Sequence, residues 1–176
     1  EPYRRQRQMC IRDRSYEKAV FSKEMPYPLE KYMQESKADT VIIEKVERNL
    51  KDFITDPPML TPSETKLSGE AKQVETKTTV HVGVSEADTA YTEVSGKLDS
   101  KYVTPGMKVY VAVGEDSDQH IYQAYLVNAN SSADSLDTTE YRLYLPQETV
   151  DTKTKVQVYV ESEQGLYLVG QSLKGE

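Results

Sequence analysis

From about Val74 to the C-terminus, apolar and polar residues alternate with a period of two. The pattern runs through TTVHVGV (Val80, Val82, Val84), TEVSGKL, MKVYVAVG, HIYQAYLV, EYRLYLP, KVQVYV and LYLVG. Alternation sends successive side chains to opposite faces of an extended chain, so each stretch predicts a strand with one face in a core. Gly114-Glu115-Asp116 and Glu163-Gln164-Gly165 separate neighbouring stretches and read as turns. Two longer segments, KVYVAVGEDSDQHIYQAYLV and KVQVYVESEQGLYLVGQSL, echo each other and read as hairpins of one sheet. About seven short strands in roughly 100 residues predict an antiparallel β-sandwich over residues 74–176.

The pattern before Val74 is different. Ala19-Val20-Phe21 is a short apolar run suited to a buried strand, and Val41-Ile42-Ile43 is a continuous β-branched run of the kind found in covered parallel strands. Between them Leu29, Tyr32 and Met33 recur at i, i+3 and i+4 behind Pro28, a good first-turn residue, and predict the helical crossover that parallel strands require. Leu50, Phe53 and Ile54 repeat the spacing and predict a second short helix ending at Asp56-Pro57-Pro58. Two strands and two helices at ~40 residues cannot close a core alone. Residues 15–60 therefore read as the tail of a larger α/β domain. Residues 61–73, rich in Pro, Ser, Thr, Gly and charge, read as a linker. The expected fold class is an α/β remnant, the end of a parallel sheet, followed by an all-β sandwich of Ig-like size.

Charge changes the picture at one end only. Residues 1–14 hold five of the seven arginines and the single cysteine, Cys10, whereas all fifteen lysines lie after Ser15. Such a cluster would suit nucleic acid or anionic lipid. Its sequence, RRQRQMCIRDR, resembles an in-frame translation of a transposase sequencing adaptor over eleven consecutive codons, so residues 1–14 are set aside as an artefact. No apolar h-region marks a secretory signal there. Without those residues, which carry +3, the net charge moves from −7 to −10, which argues against nucleic acid as a partner. The remainder lacks cysteine, which excludes disulfides and thiolate metal sites, and no apolar run of 18 residues could cross a membrane.

Candidate chemistry is sparse. Ser15 has no His within the first 80 residues, and His81 and His120 fall on strand positions, so no nucleophile–base pair and no metal-ligand spacing emerges. The expectation is no catalytic residue, no metal and no cofactor. The acidic turn Gly114–Gln119 could offer oxygens to calcium but lacks EF-hand spacing and reads better as a solvated turn. Nine of thirteen tyrosines fall from Tyr91 onward. Exposed, they would stack on sugars; inside, Tyr110, Tyr122, Tyr125, Tyr141 and Tyr144 would fill the sandwich, and the second reading is preferred.

One stretch is more specific. KADTVIIEKVERNLKDFITDPPML resembles the C-terminal end of the SGNH-like catalytic domain in the alginate O-acetyltransferase group, where a buried D-[TV]-[VL]-I-x-E strand runs into V-E-R-N/H. SYEKAVFSKEMPYPLEKYMQES looks like the preceding strand and crossover helix of Gram-positive surface members. The resemblance covers Ser15 to about Leu60 and implies a parent that transfers an acyl group to a polysaccharide hydroxyl through a Ser ester. Such a parent would be exported or cell-surface, with a polysaccharide and a membrane-bound acyltransferase as partners. The Asp-x-His pair and the Ser nucleophile of that group would lie upstream of Ser15, so this chain is expected to be inactive. Glu47, Arg48 and Asn49 follow the strand at the end where an open α/β sheet places its ligand crevice, and two roles stay open for them. They support the active site, or Arg48 pairs with Glu44 or Glu47 and caps the next helix. The alternative function is a non-enzymatic surface protein whose sandwich binds glycans or mediates adhesion.

Overall fold

The computed structural model describes residues 25–38, 40–43, 55, 57–115, 118–128, 139–151 and 153–172. Within them lie one α-helix, α1 (Leu29–Ser36), and nine strands. The strands are β1 (Lys72–Gln73), β2 (His81–Val84), β3 (Tyr91–Lys97), β4 (Lys108–Val113), β5 (His120–Gln123), β6 (Tyr125–Asn128), β7 (Thr139–Pro146), β8 (Val156–Ser162) and β9 (Gly165–Ser172). Ala19–Phe21 and the expected helix at 50–54 lie outside the described residues.

Two sheets form. One has the order β2-β3-β7-β6 and is antiparallel throughout; the other has the order β1-β9-β8-β4-β5 and is antiparallel except for β1, which runs parallel to β9. Alternation aims Val109, Val111 and Val113 of β4 and Val156, Val158 and Val160 of β8 at Val94 of β3 and Tyr141, Leu143 and Leu145 of β7, in one buried cluster. Full burial of each Val or Leu side chain contributes about 1.5–3 kcal/mol. The two echoing segments do share a sheet: β4–β5 and β8–β9 are hairpins, and their first strands pair side by side from Lys108↔Glu161 to Val113↔Val156.

HIYQAYLV, expected as one strand, is two. β5 pairs with β4, the chain passes Ala124, and β6 pairs with β7 in the opposite sheet. Burial alternates as far as Tyr122 and Ala124 and then slips by one residue, with Leu126 exposed and Val127 buried; the apolar run AYLV hides that slip in the sequence.

Residues 61–73, expected as a linker, form a strap across the outer face of the five-stranded sheet. It begins at the free edge of β5, where Glu64 bridges Tyr122 and the Thr65 N–H donates to Ile121 O at 2.8 Å. Leu67 and Ala71 then pack on Tyr110, Ala112, Tyr159 and Leu166. The strap ends as β1, pairing Lys72↔Tyr167 and Gln73↔Leu168 on the far edge. The strap thereby covers part of each edge of this sheet, and so shortens the unpaired ladders that invite aggregation. Sequence composition hides the strap because most of its attachment is through main-chain atoms.

Glu161 anchors the strap from β8. Its carboxylate accepts from the Ser68 hydroxyl and from the Tyr110 hydroxyl at 2.8 Å, and these two bonds, Ser68 first, hold its carboxyl below the usual value of 4.5. A carboxyl lowered in the folded state adds stability above its unfolded value, and loses it as the pH falls through the folded one. Hydrogen exchange of the Thr65 amide should therefore accelerate as the pH drops below about 4.5, after correction for intrinsic rates. Glu161→Gln should flatten that acid-side change; because the group faces solvent, the effect is small.

The N-terminal block departs further from expectation. α1 starts where predicted, with Pro28 at the N-cap rather than in the first turn, and ends at Lys37 in the left-handed conformation (φ 54°). No residue of α1 is fully buried. Val41-Ile42-Ile43, expected as a covered parallel strand, joins neither sheet; the three are 42, 69 and 38 % exposed. The run has β propensity, but no strand lies beside it among the described residues, and propensity without a partner does not make a ladder.

Candidate functional site

The candidate histidines, His81 and His120, fall within the described residues and lie on different sheets. Ser15, Cys10 and the Glu47-Arg48-Asn49 triplet lie outside the described residues. His81 is an exposed side chain of β2, and His120, on β5, places Nδ1 2.9 Å from Glu64 Oε1 at the start of the strap. In the acidic turn, Asp116 and Ser117 are outside the described residues, and among the described residues no three His, Cys, Asp or Glu side chains group as metal ligands. Of the five tyrosines expected inside, Tyr110, Tyr122, Tyr141 and Tyr144 are buried and Tyr125 is half-buried. Burial and the nearby Glu161 push the Tyr110 hydroxyl up to about 12. The four buried rings offer no stacking face.

A polar clamp fastens the helical block to the outer face of the four-stranded sheet. Glu30, in the first turn of α1, accepts three hydrogen bonds: from the Thr61 N–H at 2.9 Å, the Thr61 hydroxyl at 3.1 Å and the Tyr91 hydroxyl at 2.7 Å. Burial first, and then Glu30 itself, raises Tyr91 well above the ordinary tyrosine range. Beneath the clamp, Met59 is fully buried against Tyr91 and Tyr144, and its N–H donates to Tyr27 O at 2.8 Å. Arg142 of β7 adds a second tie, with Nη1 3.4 Å from Thr55 O. Its Nε lies 3.4 Å from Glu93 Oε1, close enough for an ion pair although the angle there is not that of a hydrogen bond. The clamp positions the helical block on the sheet.

The second constellation is on the flank where the strap joins β9. A 3-10 turn, Ser100–Tyr102, is capped by Asp99, whose carboxylate accepts from the main-chain N–H of Lys77 (3.0 Å) and of Lys101 (3.2 Å). Those bonds, Lys77 first, hold its carboxyl below the usual range. The turn sets the Tyr102 ring 5.3 Å from that of Tyr167 on β9, centroid to centroid, tilted by 39°. Lys101 Nζ is 4.9 Å from the centre of the Tyr102 ring, and Lys72 Nζ of β1 is 6.0 Å from that of Tyr167. Both rings rest one side on the core and are half-buried, while both lysines are exposed.

No family model, curated protein or solved structure matches the chain. The flank array sets two half-buried rings beside two exposed ammonium groups. Sequence reasoning missed it because Tyr102 and Tyr167 are 65 positions apart and Lys72 sits in the stretch read as a linker. The one available signal was the excess of tyrosine after Tyr91.

Proposed function

We propose that this chain is the C-terminal part of an exported SGNH-like polysaccharide O-acyltransferase, with the sandwich as an Ig-like accessory domain and no activity of its own. The observation that carries the reading is apolar surface in the N-terminal block. Met33 and the Val41-Ile42-Ile43 run are exposed and α1 buries nothing fully, as expected of elements whose packing partners belong to a larger α/β sheet. The V-E-R-N motif after that run supports the same assignment, and Glu47, Arg48 and Asn49 would then stand beside the substrate crevice of the complete sheet. The order β2-β3-β7-β6 opposite β9-β8-β4-β5 corresponds to strands A-B-E-D facing G-F-C-C′, which supports the Ig-like reading.

The decisive experiment is recovery of the gene from an independent assembly. A reading frame upstream of Ser15 that encodes an Asp-x-His pair and then a Ser-bearing turn supports the proposal, and its absence removes it. The present chain should release no p-nitrophenol from p-nitrophenyl acetate above background, because nucleophile and base lie elsewhere. Turnover abolished by Ser15→Ala would refute that.

A second reading, a non-enzymatic surface protein that binds glycans, is favoured by the Tyr102–Tyr167 array. Aromatic rings with adjacent polar groups are the usual means of holding a sugar ring, and the array belongs to the sandwich alone.

A further inference from the structure

We propose that β2 is a dimerisation edge: two copies of this chain pair β2 with β2, antiparallel, and so join their four-stranded sheets into one continuous sheet. β2 is outermost in the order β2-β3-β7-β6, and no described strand lies on its far side. Main-chain bonds prolong it at both ends, the Thr79 N–H donating to Lys97 O and the Ser85 N–H to Tyr91 O, each at 2.9 Å. With the register His81↔Ser95 to Val84↔Thr92, alternation turns the main-chain groups of Thr79, His81, Gly83 and Ser85 toward β3. Those of Val80, Val82 and Val84 face away from it as an open ladder. Proteins ordinarily blunt such an edge with a charge, a proline or a bulge. From Thr78 to Ser85 there is no charged residue and no proline, and the register with β3 runs without a bulge. Val84 is also the most exposed large apolar side chain among the described residues of the sandwich, at 48 %.

The edge is complementary to itself. Antiparallel pairing about a two-fold axis centred on Val82 uses every outward main-chain group. Val82 then meets its twin, Val80 meets Val84 of the second copy, and Gly83 leaves room for the facing His81 ring. Val84 is covered by the same step. At each end, exposed Lys77 comes alongside the Glu86-Ala87-Asp88 turn of the second copy. Glu86 is exposed, and Asp88 is shared with Lys31 of α1, 4.0 Å away. The pairing thus sets a cation against carboxylates at both ends, on a chain whose net charge of −7 otherwise drives copies apart. β6, the other outermost strand of this sheet, has four residues. A β2-on-β6 contact would be head-to-tail and would build filaments, whereas β2 on β2 closes at two copies.

The test is sedimentation of the full chain from about 10 µM to about 1 mM, under reducing conditions so that Cys10 cannot link chains. The expected result is a reversible monomer–dimer equilibrium that stops at two copies. The amides of Val80, Val82 and Val84 should gain protection from hydrogen exchange as concentration rises, while those of His81 and Gly83 are protected throughout. Glu86→Lys should weaken the dimer about tenfold, and Lys77→Glu combined with Glu86→Lys should restore it to within about threefold. Val84→Lys puts a charge on the edge and should abolish pairing; the amide pattern of the parent chain decides the matter even if that variant fails to fold. A chain that stays monomeric throughout, association that continues past two copies, protection gained on β6 instead of β2, or a charge exchange that restores nothing would each overturn the proposal. None of these outcomes bears on whether an acyltransferase triad precedes Ser15.

Discussion

Gly96→Ala is expected to destabilise the sandwich by about 3 kcal/mol or more, the upper end for forcing volume into a packed site. A methyl at Gly96 of β3 would stand 1.9 Å from Thr79 O and 2.7 Å from the Tyr141 hydroxyl. Neither atom is free to retreat. The Tyr141 hydroxyl donates to Thr79 O at 2.8 Å, its ring is fully buried, and the Thr79 N–H donates to Lys97 O at 2.9 Å. Thr79 lies on the crossing that brings the chain from β1 in one sheet to β2 in the other, so displacing it would open the seam between sheets. Chemical denaturation of the full chain followed by circular dichroism would measure the loss. Gly69→Ala, where no atom lies within 4 Å of the new methyl, should be neutral within about 0.5 kcal/mol and serves as the reference. An equally mild Gly96→Ala would mean that the close crossing at Thr79 is not a feature of the folded protein.

Met59→Ala should undock the helical block without unfolding the sandwich. Truncating a fully buried methionine costs about 2–5 kcal/mol through lost contacts and the cavity left behind. Here the contacts are with Tyr91 and Tyr144, on the outer face of the four-stranded sheet and separate from the main core. The penalty therefore falls on the attachment of the helical block, which the Glu30 clamp and the Arg142–Thr55 tie must then maintain. Limited proteolysis should cut Met59→Ala chains between Val41 and Thr61 much faster than the parent. Denaturation of the β-sheet signal should shift far less than in Gly96→Ala. Equal loss in both signals would mean that helix, clamp and sandwich melt as one unit.

The sandwich was legible because its strands obey one rule. Val109, Val111 and Val113, or Val156, Val158 and Val160, announce their face through period alone, and the two hairpins follow from short turns between such runs. What escaped notice is structure written in the main chain. The strap pairs through Glu64, Thr65, Lys72 and Gln73, residues whose side chains give no sign of a ladder, and the one-residue slip in burial between Ala124 and Val127 is hidden in an unbroken apolar run. The helical block shows the converse: Val41-Ile42-Ile43 has strand composition but no neighbour to pair with among the described residues. The flank array was invisible for a topological reason, since Lys72, Lys101, Tyr102 and Tyr167 become neighbours when the first and last strands of one sheet meet.

That meeting also decides how the domain bears load. β1 enters the sandwich and β9 is its last strand, and they run parallel, so the start of one and the end of the other lie at opposite ends of the ladder. Tension applied along the chain through these two points slides the strands past each other rather than peeling them apart. Sliding loads the bonds at Lys72↔Tyr167 and Gln73↔Leu168 together, whereas peeling would break them in turn. β1 and the terminal strand thus form a shear joint, in which Lys72, Gln73, Tyr167 and Leu168 share the load.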